Sequence, residues 1–456
     1  MITIGLDIGT TSISGLLYDL EAHAVLHTIT EEQAGKPSGL NQEWERLQDP
    51  EHILRQAERI LGLLLSREPE AAAIGLTGQM HGIVYIDQNG NHISPLYTWQ
   101  DGRGSLPYGA DNSLTYAQQL SRLTGYQVAP GYGLATHYYN LCEQLVPEHA
   151  AGFCTIADYI AMRLVNRKVP LMDATQAAGI GGYSLAAGDF DRIALMRAKI
   201  EVSLLPQVVP SGTAIGSTPR GIPVYASLGD NQASFLGSVP LPGESLLLNI
   251  GTGSQLSAWL PDSRNAPAAM EVRPYPGGGV LMVGAALSGG KSYALLEGFF
   301  RQVITAYTGE APADVYSLLE QLLRAEPYHD QTNGLQVNTQ FLGTRTDPKK
   351  RGSVEGISLD NFTPGGLAHA FLQGMIDELH GFLKALESEG AKKFSRLIGS
   401  GNALRTNPVL CAKAEATFGL PLTLGEYAEE AAVGAALCAA VGSGAVSSFG
   451  EAGAYL

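Results

Sequence analysis

The 456-residue sequence predicts a two-domain α/β protein. Three observations carry that expectation. The length and a hydrophobic content of 45% exceed what one core needs, because single cores stop growing at about 250–300 residues. Strands alternate with amphipathic helices. The second half restarts with the strand, glycine turn and strand that open the first.

The elements follow in order. IGLDIGTTSISGLLYD, from Ile4 to Asp19, reads as two apolar strands broken by a glycine and hydroxyl cluster, a β-hairpin. After a polar stretch from Glu31 to Asp49, PEHILRQAERILGLLLSRE sets Ile53, Leu54, Ala57, Ile60, Leu61 and Leu64 on one helical face. AAIGLTGQMHGIVYID is again strand, glycine turn, strand. From Asp189 to Pro223 short elements rich in Pro and Gly follow, ending in the strand-like PVYASLGDNQASFLG. SVPLPGES then reads as a surface linker, which places a boundary near Pro240 and gives domains 1–240 and 241–456. The second domain contains LLNIGTGSQLSAWL, and near its end AAVGAALCAAVGSGAV is too short, and too rich in Ala and Gly, for a bilayer span. It reads as a packed interior helix.

Composition excludes several classes of function. A net charge of −15 without a run of Lys and Arg argues against nucleic acid and anionic membranes as partners. MITIGLDIG has no basic segment leading into an apolar stretch and cleavage site, so a cytoplasmic location is expected. The four cysteines, Cys142, Cys154, Cys411 and Cys438, lack C-x-x-C spacing and are expected as buried, reduced thiols.

Two turns point to chemistry. A turn of Gly, Thr and Ser between strands exposes consecutive backbone N–H groups, a concavity suited to phosphate oxygens. DIGTTS (Asp7 to Ser12) adds a carboxylate at a strand end, placed to hold Mg²⁺ through water; NIGTGS (Asn249 to Ser254) has none. VLMVGAALSGGKSYALL (Val280 to Leu296) imitates a P-loop, but G-x-x-x-x-G-K-[ST] requires glycine where Ala285 stands, so that reading is rejected. Its helix N-terminus is expected either to face a nucleotide or to be a packed turn.

The order and spacing of LDIGTTS, GQMHG, TWQDGR, GDNQAS, NIGTGSQ, FLGTRTDPKKRGSVEGIS, GSGNALRTNPV and EEAAVGAAL identify a family resemblance. Nearly the whole chain resembles a carbohydrate kinase of the FGGY family, which implies the actin-like ATPase (ribonuclease H-like) fold, two domains about a central nucleotide and sugar cleft. TWQDGR, GYGLATHYY and GDNQAS are most similar to sedoheptulokinases, with xylulokinases next.

The resemblance implies ATP, Mg²⁺ and a ketose as ligands, with phosphorylation of a terminal hydroxyl; a homodimer is compatible with it. Asp230 matches the catalytic base, and Met80, His81, Trp99, Asp101 and Asn231 the sugar site. Thr10, Thr11 and Ser12 match the first phosphate loop, Gly251, Thr252 and Gly253 the second, and Gly399, Gly401 and Asn402 the adenosine segment, where bare glycine admits a ring. Asp7, with Asp230, matches the metal-associated acids. Taken singly, His81 reads as a hydrogen-bonded structural residue, Asp230 as a turn residue, Trp99 as core, and Lys349 to Arg351 as a solvated loop. Many relatives carry Lys or Arg where this chain has Ser14, which leaves phosphate neutralisation to Mg²⁺, backbone donors and Lys291. A non-catalytic nucleotide- or sugar-binding regulator on the same fold is the alternative of another class.

Overall fold

The structure, a computed structural model, describes residues 1–33, 42–109, 113–262, 266–325, 334–344, 347, 349–391 and 393–456. Arg345, Thr346 and Pro348 of the FLGTRTDPKKRGSVEGIS motif therefore lie outside the described residues. The chain divides into two compact units. The first comprises Met1–Pro240, Arg273–Gly278 and Glu429–Leu456, the second Leu241–Val272 and Gly279–Ala428.

In the first unit, β1 (Ile2–Ile8), β2 (Ser12–Asp19) and β3 (Ala24–Glu32) form an antiparallel meander. Ile4, Leu6 and Ile8, at alternate positions of β1, and Ile13 of β2 are fully buried, so β1 turns one apolar face to the core while Thr3, Gly5 and Asp7 lie on the other. Helix α1 (Pro50–Arg67) starts where the Asp49 carboxylate accepts from Glu51 N–H at 2.9 Å, with Pro50 at its first position. Its six expected core residues are all buried. β4 (Ala73–Gly78) lies parallel to β1. Further along come α2 (Ile156–Leu164), α3 (Ala174–Ile180), β5 (Ala214–Ser217), β6 (Pro223–Tyr225) and β7 (Leu228–Gly229). The sheet order is β5-β6-β4-β1-β2-β3, with β7 paired to β4. The segment after β7 departs from the strand reading: Asp230–Leu236 is helix α4.

The second unit repeats this logic. β8 (Ser245–Ile250) and β9 (Ser254–Leu260) form an antiparallel hairpin, and β8 takes a parallel neighbour on its other side, as β1 does. With β10 (Glu271–Pro274), whose last two residues fall in the first unit, β11 (Val280–Ala286), β12 (Arg396–Ser400) and β13 (Leu422–Leu424), the order is β10-β11-β9-β8-β12-β13. Helices α5 (Gly289–Thr308) and α6 (Pro364–Ser388) belong to the same unit.

Helix α7 (Glu430–Gly442) belongs to the first unit, although the sequence boundary assigns it to the second. The physical reason lies in glycine. A Cβ on Gly5 would sit 1.9 Å from the carbonyl oxygen of Ala432, and one on Gly75 would sit 1.8 Å from that of Ala435. Bare backbone on β1 and β4 thus admits an Ala-rich helix at minimal separation. Its Ala431–Ala440 core is buried, as expected of a packed interior helix. The cysteines depart from expectation: Cys154 and Cys438 are buried, whereas Cys142 is exposed and Cys411 partly so. No helix among the described residues is long and apolar enough to cross a membrane.

Candidate active site

Three neighbouring parallel strands of the first unit end together. β1 carries Asp7 near its end, β4 runs out into Gln79, Met80 and His81, and β7 leads into Asp230. The crevice outside the carboxyl ends of such strands is where ligands bind in open α/β sheets. Asp7 is partly exposed as a residue, but its Oδ1 is shut off from solvent and finds no hydrogen-bond partner among the described residues. Burial, then the charges of Asp230 and Glu429, push its carboxyl up to about 8. Burial also raises Asp230, to about 6, while the Arg273 guanidinium and the Asn231 N–H pull it back. An unsatisfied buried acceptor among like charges fits a divalent cation. No group of three or more His, Cys, Asp or Glu among the described residues would hold a metal unaided, which suits Mg²⁺, an ion that takes one or two carboxylates and keeps water.

The GQMHG turn is held tightly. Met80 is buried against glycine: a Cβ on Gly229 would lie 2.8 Å from its sulfur, and one on Gly179 would lie 2.8 Å from its Cε. His81 adopts φ +75°, a conformation disfavoured for a side chain larger than glycine. Two interactions hold it there. Nδ1 lies 2.5 Å from the Gly179 carbonyl, and the ring stacks on Tyr132 at 4.5 Å. Donation by Nδ1 makes Nε2 the acceptor tautomer. His81 therefore is the hydrogen-bonded residue of the plainer reading and also stands beside Met80 at the strand ends.

Trp99 is not core. It is 45% exposed and its Nε1 donates to Thr10 Oγ1 at 2.9 Å. Asp101 is the buried member of the motif: its oxygens accept from Arg46 N–H at 3.1 Å and from Arg103 Nε at 2.6 Å. Arg103 in turn lies over the Tyr97 ring at 4.1 Å. Asp101 thus supports the Trp99 segment from behind.

Both glycine turns share one design. In the first, Gly9 O accepts from Gln33 Nε2 at 2.5 Å, Thr10 O from Gln48 Nε2 at 2.8 Å, and Thr11 O from Gln33 N–H at 2.8 Å. In the second, Gly251 O accepts from Gly290 N–H at 3.0 Å, Thr252 O from Lys291 N–H at 3.1 Å, and Gly253 O from Gly251 N–H at 2.9 Å. Three successive carbonyls are engaged in each case. The amides of Thr10, Thr11, Thr252 and Gly253 have no protein acceptor among the described residues, so they are the donors left for an anion. Ser12 opens β2 opposite Glu32. The α5 N-terminus is accordingly a packed turn, its amides at Gly290 and Lys291 holding the loop, while the Lys291 side chain is exposed.

Gly401 and Asn402 follow β12, and a Cβ on Gly401, at φ +89°, would meet Ile250 O at 2.5 Å. Gly399 departs from the adenosine reading. It is buried within β12, facing Leu404, Leu422 and Leu424, and presents no bare surface to a ring.

The sequence profile for the N-terminal domain of the FGGY family of carbohydrate kinases matches residues 2–237, and that for the C-terminal domain matches residues 246–443. The chain belongs to this family. The kinase is 30% identical over 480 residues to sedoheptulokinase from Homo sapiens, covering 96% of each chain. It is 25% identical to a glycerol kinase from Saccharolobus islandicus, over 98% of this chain and 89% of that one. The crystal structure of xylulose kinase from Rhodospirillum rubrum matches with a TM-score of 0.84 at 23% identity, covering 100% of this chain and 92% of that one, which shows a common fold. The enzyme is thus an actin-like carbohydrate kinase, a phosphotransferase acting on a sugar hydroxyl.

Several residues of this kinase escape sequence reasoning. Arg273 is buried with Nη1 3.8 Å from the Met80 sulfur, and its charge acts on Asp230. Glu429 acts on Asp7 and accepts from Thr30 Oγ1 at 3.1 Å; Thr30 Oγ1 lies 3.0 Å from Ser14 Oγ. Ser14 is therefore buried in a hydroxyl chain that ends on an acid. Gln79 joins Gln48 Oε1 at 2.9 Å and Thr10 Oγ1 at 3.4 Å. Its place as the second residue of the GQMHG motif is the one signal for it in the sequence.

Proposed function

We propose that this kinase transfers the γ-phosphoryl group of ATP to the terminal hydroxyl of a ketose, sedoheptulose, giving sedoheptulose 7-phosphate and ADP. The convergence of Asp7, the Met80–His81 turn and Asp230 at the ends of three adjacent strands supports this reading most. Identity to sedoheptulokinase over nearly the whole chain supports the sugar.

Asp230 acts as the base. Its ionised carboxylate takes the proton of the attacking hydroxyl as the bond between the γ-phosphorus and the ADP oxygen breaks and the new P–O bond forms. Trp99 offers apolar surface to the sugar, the buried Met80 packs against Gly229 beside the base, and His81 Nε2 accepts from a sugar hydroxyl. The free amides of the two loops, with the Thr10, Thr11 and Ser12 hydroxyls, bind phosphate oxygens; Gly401 and Asn402 border the adenosine. Asp7 and Asp230 would hold Mg²⁺, which neutralises phosphate charge when bound. No cation at position 14 shares that task.

ADP release measured with sedoheptulose, D-xylulose and glycerol tests the assignment. The expected result is a kcat/KM for sedoheptulose about 10-fold or more above either competitor, an order set by a site that hydrogen-bonds additional hydroxyls. A lead for D-xylulose would replace the substrate with that pentulose.

A further inference from the structure

The three residues preceding Asp230 are fastened by side chains more than by a sheet. β7 is two residues long, with Leu228 opposite Thr77 and Gly229 opposite Gly78. Around it Thr77, Asp158, Asp173, Thr175, Gln176 and Ser227 are all buried, and such groups are costly in a core unless they are bonded. Their bonds converge on this run. Ser227 Oγ donates to Asp158 Oδ1 at 2.6 Å. The Leu228 carbonyl accepts from Thr77 Oγ1 at 3.0 Å and Gln176 Nε2 at 2.9 Å. Gly229 N–H donates to Thr175 Oγ1 at 2.8 Å.

The direction of the last bond is determined. Asp173, which caps α3, accepts from both Thr175 N–H at 2.7 Å and Thr175 Oγ1 at 2.6 Å. With the hydroxyl proton committed to that carboxylate, Oγ1 faces Gly229 N–H purely as an acceptor. A core selected for stability alone could use apolar pairs of the same shape at little cost. Concentration of the polar groups on one tripeptide points to geometry.

Resting on the reading of Asp230 as the base, we propose that Thr175 is a positioning residue for phosphoryl transfer. Through Gly229 N–H it fixes the Leu228–Gly229 peptide, one residue before the Asp230 side chain, with Met80 packed against Gly229 as well.

Thr175→Val keeps the shape and deletes both bonds. Because small displacements of a reacting group are costly, kcat should fall about 10- to 100-fold, with KM for sugar and nucleotide changed by less than about 2-fold. Thr175→Ser keeps both bonds and should restore kcat to within about 3-fold of the unsubstituted enzyme. Thr124→Val removes another buried hydroxyl, bonded to Leu120 O at 2.8 Å in the helix Tyr116–Thr124, and should leave kcat unchanged. If Thr175→Val does not fold, Thr175→Cys, which replaces the hydroxyl by a weakly bonding thiol, gives the same test. A kcat for these variants equal to that of Thr124→Val, or losses confined to KM, would overturn the proposal. Asp230→Asn, assayed beside them, separates the two ideas: full turnover there removes the base and this inference together, whereas an inactive Asp230→Asn beside an unimpaired Thr175→Val removes only the positioning role.

Discussion

The Trp99 indole N–H lies 2.9 Å from the Thr10 hydroxyl oxygen, which ties the TWQDGR segment to the first glycine turn. Thr10 Oγ1 also reaches Gln79 Oε1, so this hydroxyl sits between the tryptophan and the GQMHG turn. Trp99→Phe keeps an aromatic surface and deletes the bond. The expected outcome is a KM for nucleotide raised about 3- to 10-fold, the loss of one hydrogen bond worth ~1 kcal/mol, with kcat less affected. Initial-rate kinetics with ATP varied at saturating sugar decide it; an unchanged nucleotide KM would sever the link.

Asp230 must be ionised to accept a proton, and burial lifts its carboxyl to about 6. Activity should therefore fall as pH drops through about 6 and level off above it. The Arg273 guanidinium opposes the shift. Arg273→Leu removes that opposition, so the acid limb of kcat/KM should move to higher pH and the variant should lose more activity at pH 6 than at pH 8. A limb that stays in place, or moves down, would show that Arg273 does not act on the base.

Local patterns made some of this legible and left the rest hidden. The first hairpin and α1 follow from periodicity in adjacent residues, with Ile53 through Leu64 at helical spacing. Asp230 to Leu236 has no such signal: the helix is short, and what holds it is α7, since a Cβ on Gly434 would sit 1.9 Å from Ala233 O. Trp99 misled because a large ring favours burial, whereas its N–H finds its partner at the site edge. Arg273 comes from a distant segment whose sequence carries no motif. Gln33 and Gln48 lie in polar stretches where a glutamine predicts nothing by itself. The paired turns were visible, but which amides they leave open depends on long-range acceptors.

The seat of α7 makes a stability prediction. Gly5→Ala would bring a methyl to 1.9 Å from a helix carbonyl, where neither backbone can rotate away. Overpacking of this kind costs about 1–3 kcal/mol or more. Gly62→Ala, in α1, meets no atom within 4 Å and should stabilise by roughly 0.5–1 kcal/mol through helix propensity. Denaturant melts of the two variants should move in opposite directions. A neutral Gly5→Ala would mean that α7 can lift from β1.

Asp7 links stability to pH and to Mg²⁺. Its carboxyl stands near 8 in the folded protein against about 3.9 in an unfolded chain. Between those values the folded protein retains a proton that the unfolded chain has released, so ligand-free stability should decline as pH rises from about 4 to about 8. Asp7→Asn removes this contribution. Its melting temperature should fall less steeply with pH and at pH 8 should exceed that of the unsubstituted enzyme by on the order of 2 °C. Mg²⁺ reverses the comparison: a cation held by Asp7 favours the ionised form and stabilises the folded state by mass action. Melting curves at pH 8 should therefore rise with added Mg²⁺ for the unsubstituted enzyme and hardly at all for Asp7→Asn. Equal Mg²⁺ responses would remove Asp7 from the metal site, and parallel pH slopes would show that burial and the neighbouring charges do not raise it.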